Sequence, residues 1–463
     1  MKKLFDNMFT VNLCRLILAL TFIFSGYVKA VDPLGTQYKI GDYLEALNMS
    51  ALMSPTVALV LSVLLAALEF CIGIFLLFAI YRRLSSRIAL VLMIVMTPIT
   101  LWLALANPVK DCGCFGDAVV LTNWQTFLKN VVLLACAVVL AKWPLRMVRF
   151  ISKTNQGIVI NFTALFILLT SVWCLYDLPI FDFRPYHIGA NIPKGMEMPE
   201  DAKQPVFETT FIMEKDGERK TFTLADYPDS TWTFIDSKTV QVEEGYVPPI
   251  HDFSIQEAET GEDITDQVLQ YKGYTFLLIS PHLEDASDSN FADIDQLHEY
   301  CQQHNYPFYC LTASSDDAIQ HWRDITGAEY KFCITDETTL KTIIRSNPGL
   351  LLLKKGTIIR KWSHNNYPQI EQANTQLPLE RLSIGQMPTD SVPGKILTIV
   401  LLFVLPLFLL TLADRLWAWT KWIKRRRWLR NQEKKEAEEE TSEGAHEGEK
   451  DVENEKENEV QPT

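Results

Sequence analysis

Six runs of this chain are each long and apolar enough to cross roughly 30 Å of hydrocarbon, and nothing else in the sequence limits the fold as much. They cover about 10–30, 55–80, 88–106, 125–142, 157–176 and 395–417. The first lies where a signal peptide would lie. It runs on through Ser25 and Gly26 to Lys29 with no small-x-small cleavage site before a polar stretch, so it reads as a retained signal-anchor helix. Partners of a multi-span chain begin with the lipid bilayer itself.

Lysine and arginine in the short loops set the orientation. One side carries Lys2, Lys3, Arg82, Arg83, Arg87, Lys142, Arg146, Arg149, Lys153 and the basic residues between Lys421 and Arg430, 15 in all; the other has Lys29, Lys39 and Lys110. Six spans with this bias place both termini in the cytoplasm of a bacterial-type inner membrane. The loop holding Cys112 and Cys114 and the large segment 177–392 are then extracytoplasmic.

A length of 463 residues suggests two or three domains. The net charge of −13 is mostly a property of the end of the chain, because residues 431–463 hold 13 acidic and 4 basic residues. No basic, aromatic-interleaved domain remains once the membrane flanks are set aside, which excludes nucleic acid as a partner. Nine cysteines in a chain this long are too sparse for a disulfide scaffold.

Two of those cysteines stand one residue apart in Asp111-Cys112-Gly113-Cys114-Phe115-Gly116-Asp117, between the third and fourth spans. On an oxidising face such a pair can close a small-ring disulfide, which departs from relaxed geometry and is easily reduced. Gly113 supplies the backbone freedom that closure needs. Three readings stand: a thiol–disulfide exchange site, a static pair of thiols, or a metal site without a nearby histidine. Cys14, Cys71, Cys136 and Cys174 lie within apolar runs and are expected to pack as small hydrophobes.

Glu69 falls near the middle of the second span and Arg15 one turn inside the first. Ionisable groups at that depth are costly and usually face a partner within the bundle. The expectation is an Arg15–Glu69 pair that fixes helix packing; the alternative is a polar core beneath the cysteine loop that relays protons or grips a quinone. No other cofactor is expected.

The membrane segment resembles a known family. Phe24-Ser25-Gly26-Tyr27-Val28-Lys29 with Asp32-Pro33, Glu69 with Gly73, the Cys-Gly-Cys-Phe-Gly string, and Trp124 with Asn130 are together similar to the MauE branch of the DoxX-like proteins, over about 8–150. The resemblance implies a four-helix membrane bundle. It also implies an accessory role: the family is linked to methylamine metabolism, where its member assists maturation of a disulfide-rich dehydrogenase subunit.

Beyond the fifth span, residues 180–246 show short β-like stretches at Phe207–Met213 and Thr231–Ile235. From Pro248, Pro249-Ile250-His251-Asp252-Phe253 leads into strand Thr275–Ser280, a helix at 290–304, a strand at 307–312 and a helix at 316–326. Asn347-Pro348-Gly349 then precedes strands Leu350–Lys354 and Thr357–Trp362. That alternation reads as an α/β layer fold. Over about 247–375 it resembles the thioredoxin-like domains of thiol reductases and peroxiredoxins, which implies that Pro348 is the cis proline beside the active site. Where that family carries Cys-x-x-Cys after the first core strand, this chain has Ser280-Pro281-His282-Leu283-Glu284-Asp285-Ala286-Ser287, so no thiolate is available there. Cys301, Cys310 and Cys333 lie elsewhere and are expected to pack in the core or form one structural disulfide.

The chain thus divides into a membrane bundle over 1–150, a fifth transmembrane helix over 151–176, a β-rich segment over 177–246 and a thioredoxin-like domain over 247–392. A sixth transmembrane helix follows over 393–417, then a basic juxtamembrane segment and a disordered acidic tail over 418–463. Lys421 to Trp428 alternates basic residues with tryptophans, as an interfacial anchor does. The tail has the composition of a self-repelling, unstructured segment. The functional expectation is an accessory of extracytoplasmic thiol–disulfide chemistry that exchanges with an extracytoplasmic thiol protein or thioredoxin-like partner through Cys112 and Cys114. Its rivals are a non-enzymatic scaffold and a quinone-linked subunit. The fold alone cannot choose among them.

Overall fold

The structure is a computed structural model and describes residues 8–49, 53–109, 111–199, 206–215, 218–223, 233–243, 246–251, 253–389 and 391–458. Lys2, Lys3, Lys110, Thr231, Trp232 and Asp252, used above, lie outside them.

Six helices match the apolar runs. Five come first: α1 (Met8–Val31), α3 (Pro55–Phe78), α4 (Arg82–Ala106), α5 (Asn123–Lys142) and α6 (Gln156–Tyr176). Local chemistry explains where several begin. Ser54 caps α3 with Pro55 at its first position, and Thr122 with Gln125 forms a capping box on α5. Between α1 and α3 runs α2 (Pro33–Ala46), a helix the apolar pattern did not predict. Its start is set by Asp32, whose side chain accepts from the Gly35 amide at 2.9 Å.

α1, α3, α4 and α5 pack around Leu18, Phe22, Ile72, Leu76, Leu133 and Leu140, while Val159 and Ile167 of α6 pack with Ala66, Phe70 and Ile74 in a second cluster. The sixth consists of α12 (Val392–Ile399), a π turn over Val400–Val404, and α13 (Leu405–Asn458). Phe403 on that turn stacks on Phe166 with ring centroids 4.3 Å apart. Asp414 is buried and holds the start of α6, accepting from the Ser152 amide at 2.7 Å, the Ser152 hydroxyl at 2.6 Å and Asn155 Nδ2 at 2.8 Å. The acidic tail departs from expectation: helix continues to Asn458 where composition predicts disorder. Glu, Lys, Ala and Arg are strong helix formers, and here that propensity governs the backbone.

The thioredoxin-like domain is a six-stranded sheet in the order β4-β7-β6-β5-β8-β9. Its strands are β4 (Gln256–Glu257), β5 (Tyr274–Ser280), β6 (Phe308–Thr312), β7 (Lys331–Ile334), β8 (Gly349–Lys354) and β9 (Thr357–Ser363). β5, β6 and β7 are parallel; β8 runs antiparallel to β5, and β9 to β8. Alternation sends Leu278, Cys310 and Leu350 to one face, under helices Phe291–His304 and Asp316–Thr326. Leu277, Leu311, Cys333 and Leu351 face the other side, with Leu340 and Ile343 of helix Glu337–Ile343. Both faces are covered, so β5 is buried along its whole length.

Cys301, Cys310 and Cys333 are buried free thiols, and the alternation separates Cys310 from Cys333. The Asn347–Pro348 bond is cis. The domain also reaches further back than 247: Tyr186 and Ile192 lie in its core, and Asn191 bridges to Thr357 on the edge strand. Three strands, β1 (Val206–Lys215), β2 (Glu218–Thr223) and β3 (Thr233–Glu243), form a separate antiparallel sheet in the order β2-β1-β3.

Candidate functional site

Two glycines bring α1 and α3 together. A Cβ on Gly26 would lie 2.4 Å from the Phe70 nitrogen, and one on Gly73 would lie 2.7 Å from the Ile23 nitrogen. This close approach sets which α1 side chains stand level with Glu69. They are Ser25 and Lys29, not Arg15. Lys29 Nζ lies 2.7 Å from both Glu69 carboxylate oxygens, and all three residues are buried. The Arg15–Glu69 pair expected from sequence is therefore corrected. Arg15 sits about 21 Å further along the helix from Lys29, donates to the Val148 carbonyl at 2.5 Å and lies over the Phe150 ring.

The cysteine loop rests on this buried pair. Ser25 Oγ is 2.7 Å from Glu69 Oε2 and 2.7 Å from the Cys114 carbonyl oxygen, and Lys29 donates to it at 3.2 Å. From α2, Tyr43 donates to the Cys112 carbonyl and Lys39 pairs with Asp111. The Lys39 stem lies 3.1 Å from where a Gly113 Cβ would be, and Gly113 has φ +63°, so a side chain there would be both strained and crowded. Phe115 packs edge-on to Phe24 and lies under the Lys129 ammonium.

Held this way, the Cys112 and Cys114 sulfurs are 2.8 Å apart as free thiols. The two are not equivalent. The hydrogen bond from Cys112, aided by the Lys129 and Lys29 cations, lowers the Cys114 thiol to about 7 against the pull of burial. Cys112, the donor in that bond and itself buried, is pushed up. One thiol is thus partly ionised near neutral pH while its neighbour keeps its proton.

Across from the loop lies a cavity of about 1230 Å³. Its bundle wall includes Lys29, Asp32, Tyr38, Lys39 and Gly113, and its far wall is the thioredoxin-like domain, with His282, Lys341, Arg345 and Asn347. His282 occupies the place of the missing Cys-x-x-Cys and pairs with Glu337 at 2.9 Å. Asn347 bonds to Ser280 Oγ and the His282 carbonyl, each at 2.7 Å. Pro348 sits behind them, its carbonyl accepting from Ser346 at 2.8 Å, and it does not line the cavity.

The two walls are joined by charge. Arg345, buried two residues before Asn347, lies 2.9 Å from Asp32, 3.8 Å from Asp117 and over the Tyr38 ring. Burial works against the Asp32 charge, but Arg345 and Arg184 outweigh it and hold the carboxyl below its usual range. Behind Arg345, Lys361 and Arg184 both pair with Asp182, at 2.9 and 2.8 Å. Burial brings the Lys361 ammonium down to about 8. Among the described residues no group of His, Cys, Asp and Glu is placed to hold a metal ion.

The sequence offered a polar core beneath the cysteine loop only as the alternative to an Arg15–Glu69 pair, and it did not read Lys29, Tyr43, Asp32 and Arg345 as members of the site. Asp32-Pro33 is a readable helix start; for Arg345, 313 residues from its partner, the sequence offers no signal.

The family profile described as methylamine utilisation protein MauE matches residues 7–142. That range contains α1 to α5 and the whole cysteine loop. Residues 7–142 carry a MauE-family domain. A second profile, described as a domain of unknown function, matches residues 207–244, which span the separate sheet. No curated protein matches the chain. A solution structure of a candidate protein disulfide isomerase from Bacteroides thetaiotaomicron is similar at 14% identity and a TM-score of 0.20, covering 25% of this chain and 76% of that one. The thioredoxin-like assignment next to the MauE domain rests on strand order and on the helices that cover both faces of the sheet.

Proposed function

We propose that this multi-pass protein is an inner-membrane accessory of extracytoplasmic thiol–disulfide exchange, with Cys112 and Cys114 as the exchange pair. One observation carries this reading: two free thiols 2.8 Å apart, one of them acidified, beside a cavity walled by a thioredoxin-like domain. The Cys114 thiolate attacks a disulfide sulfur of an extracytoplasmic partner, forming a mixed disulfide and releasing one partner thiolate, which takes up a proton. Cys112 then loses its proton and attacks the Cys114 sulfur, releasing the second partner thiol. The MauE domain ends oxidised by two electrons and the partner reduced by two; run backwards, the same steps oxidise the partner. The thioredoxin-like domain supplies a docking wall, since the segment from Ser280 through His282 and Leu283 stands where its own Cys-x-x-Cys would be and holds no cysteine. The bias of lysine and arginine toward one set of loops supports cytoplasmic termini and an extracytoplasmic site.

The name of the matched family refers to methylamine utilisation and does not identify a methylamine site here. The test is the in-cell redox state of Cys112 and Cys114, read by acid quench and alkylation mass shift around a brief pulse of membrane-permeant reductant. A mixed population that re-equilibrates within minutes is expected. A pair locked in one state throughout overturns exchange.

The replaced Cys-x-x-Cys favours one second reading, a non-enzymatic scaffold. Stable complexes indifferent to reductant and to Cys112→Ser, Cys114→Ser would establish it.

A further inference from the structure

The thiols differ in environment on one side above all, the buried side. Below Cys114 the only cation of α1 near the loop is Lys29, fixed by two 2.7 Å contacts to Glu69 and a 3.2 Å contact to Ser25, whose hydroxyl reaches the Cys114 carbonyl. A single hydroxyl proton cannot serve both Glu69 and Cys114 at once, so the ammonium and the carboxylate orient it. A buried cation held this rigidly acts on a nearby thiolate through a low dielectric, where charge is felt most strongly. We propose that Lys29 is a positioning residue, held by Glu69 and Ser25, that makes Cys114 rather than Cys112 the attacking thiolate of the pair.

This rests on the exchange reading for its purpose but not for its physics. Other charged or titratable groups also face the loop: Lys129 from α5 over Phe115, Glu69 from α3, Tyr43 and Lys39 from α2, and Asp111 and Cys112 within the loop itself. Lys129 and Lys29 each act on both sulfurs; what sets Lys29 apart is its tie through Ser25 to the Cys114 carbonyl, with no matching contact on the Cys112 side. Lys29 and Glu69 act in opposite senses on Cys114. That opposition gives a test which a merely structural role would not satisfy.

The full chain carrying Cys112→Ser is purified in detergent and alkylated with iodoacetamide across pH, with adduct at Cys114 counted by peptide mass spectrometry. Lys29→Met should move the midpoint upward, leaving alkylation at neutral pH about tenfold slower, which is one pH unit. Glu69→Gln, nearly isosteric, should move it downward. Lys29→Arg should restore the parent profile. Each variant is compared only as a monodisperse peak by gel filtration. Shifts in opposite directions for the two substitutions support the assignment. Shifts in the same direction, no shift for Glu69→Gln, or a Lys29→Arg profile that follows Lys29→Met overturn it. Should the wild-type pair prove locked in cells while the opposed shifts appear, the exchange reading fails and this one stands.

Discussion

Gly26 and Gly73 fix the distance on which the site depends. With no side chain at either position, the α1 and α3 backbones meet, and Lys29 and Glu69 share one level of the bundle. Gly26→Ala places a methyl group 2.4 Å from the Phe70 nitrogen, so one helix must move. Overpacking of this kind costs about 1–3 kcal/mol. Thermal unfolding in detergent should show a lower Tm, and an unchanged Tm would mean the helices are free to separate. The same level explains why the sequence misjudged the pairing of Glu69. Arg15 and Lys29 lie on one helix, and which of them meets Glu69 depends on how the antiparallel neighbour is staggered. Stagger is set by the close approach at Gly26 and Gly73, which the apolar pattern of the spans does not announce. The thiols were legible because a one-residue spacing guarantees proximity whatever the fold.

At the scale of elements, capping does much of the positioning. Asp414 reaches across from α13 to the turn before α6, accepting from the Ser152 amide and hydroxyl and from the Asn155 side chain, which sets a carboxylate near the end of that helix where its dipole is positive. Asp414→Ala should cost about 1–3 kcal/mol, because it leaves the Ser152 and Asn155 donors without their acceptor. The prediction is checked by Tm together with trypsin cleavage after the basic residues of α13, which should quicken as the helix loosens. Unaltered cleavage and Tm would show that the aromatic stack around Phe403 alone holds it. The six spans were legible because twenty apolar residues have few alternatives. The helix α2 was not: it is short, its apolar residues are few, and only Asp32-Pro33 announces it. The thioredoxin-like order was legible from strand–helix alternation, whereas the segment holding Tyr186 and Ile192 joins that core through pairing with an edge strand far along the chain.

The whole molecule is held in register by Arg345 and Asp32. Removing one partner of a buried ion pair leaves the other charge uncompensated, at a cost of about 3–5 kcal/mol. Arg345→Met should therefore lower the Tm and speed labelling of Cys114 by a bulky maleimide; a normal labelling rate would show that the two walls are held apart by other means. Acid should act in the same sense. The Asp32 carboxyl lies below its ordinary value of 3.8, so its contribution is complete above that pH and is lost as pH falls through the depressed value. Stability measured by denaturant at descending pH should fall with a step that Asp32→Asn abolishes. The Asp414 contact carries a further consequence, for the order in which the chain is built. The turn before α6 emerges from the ribosome long before the residue that accepts its hydrogen bonds, with the entire thioredoxin-like domain synthesised between them. The Ser152 and Asn155 donors must wait until the last span arrives, so the bonds that join the fifth and sixth spans are among the last the bundle can form.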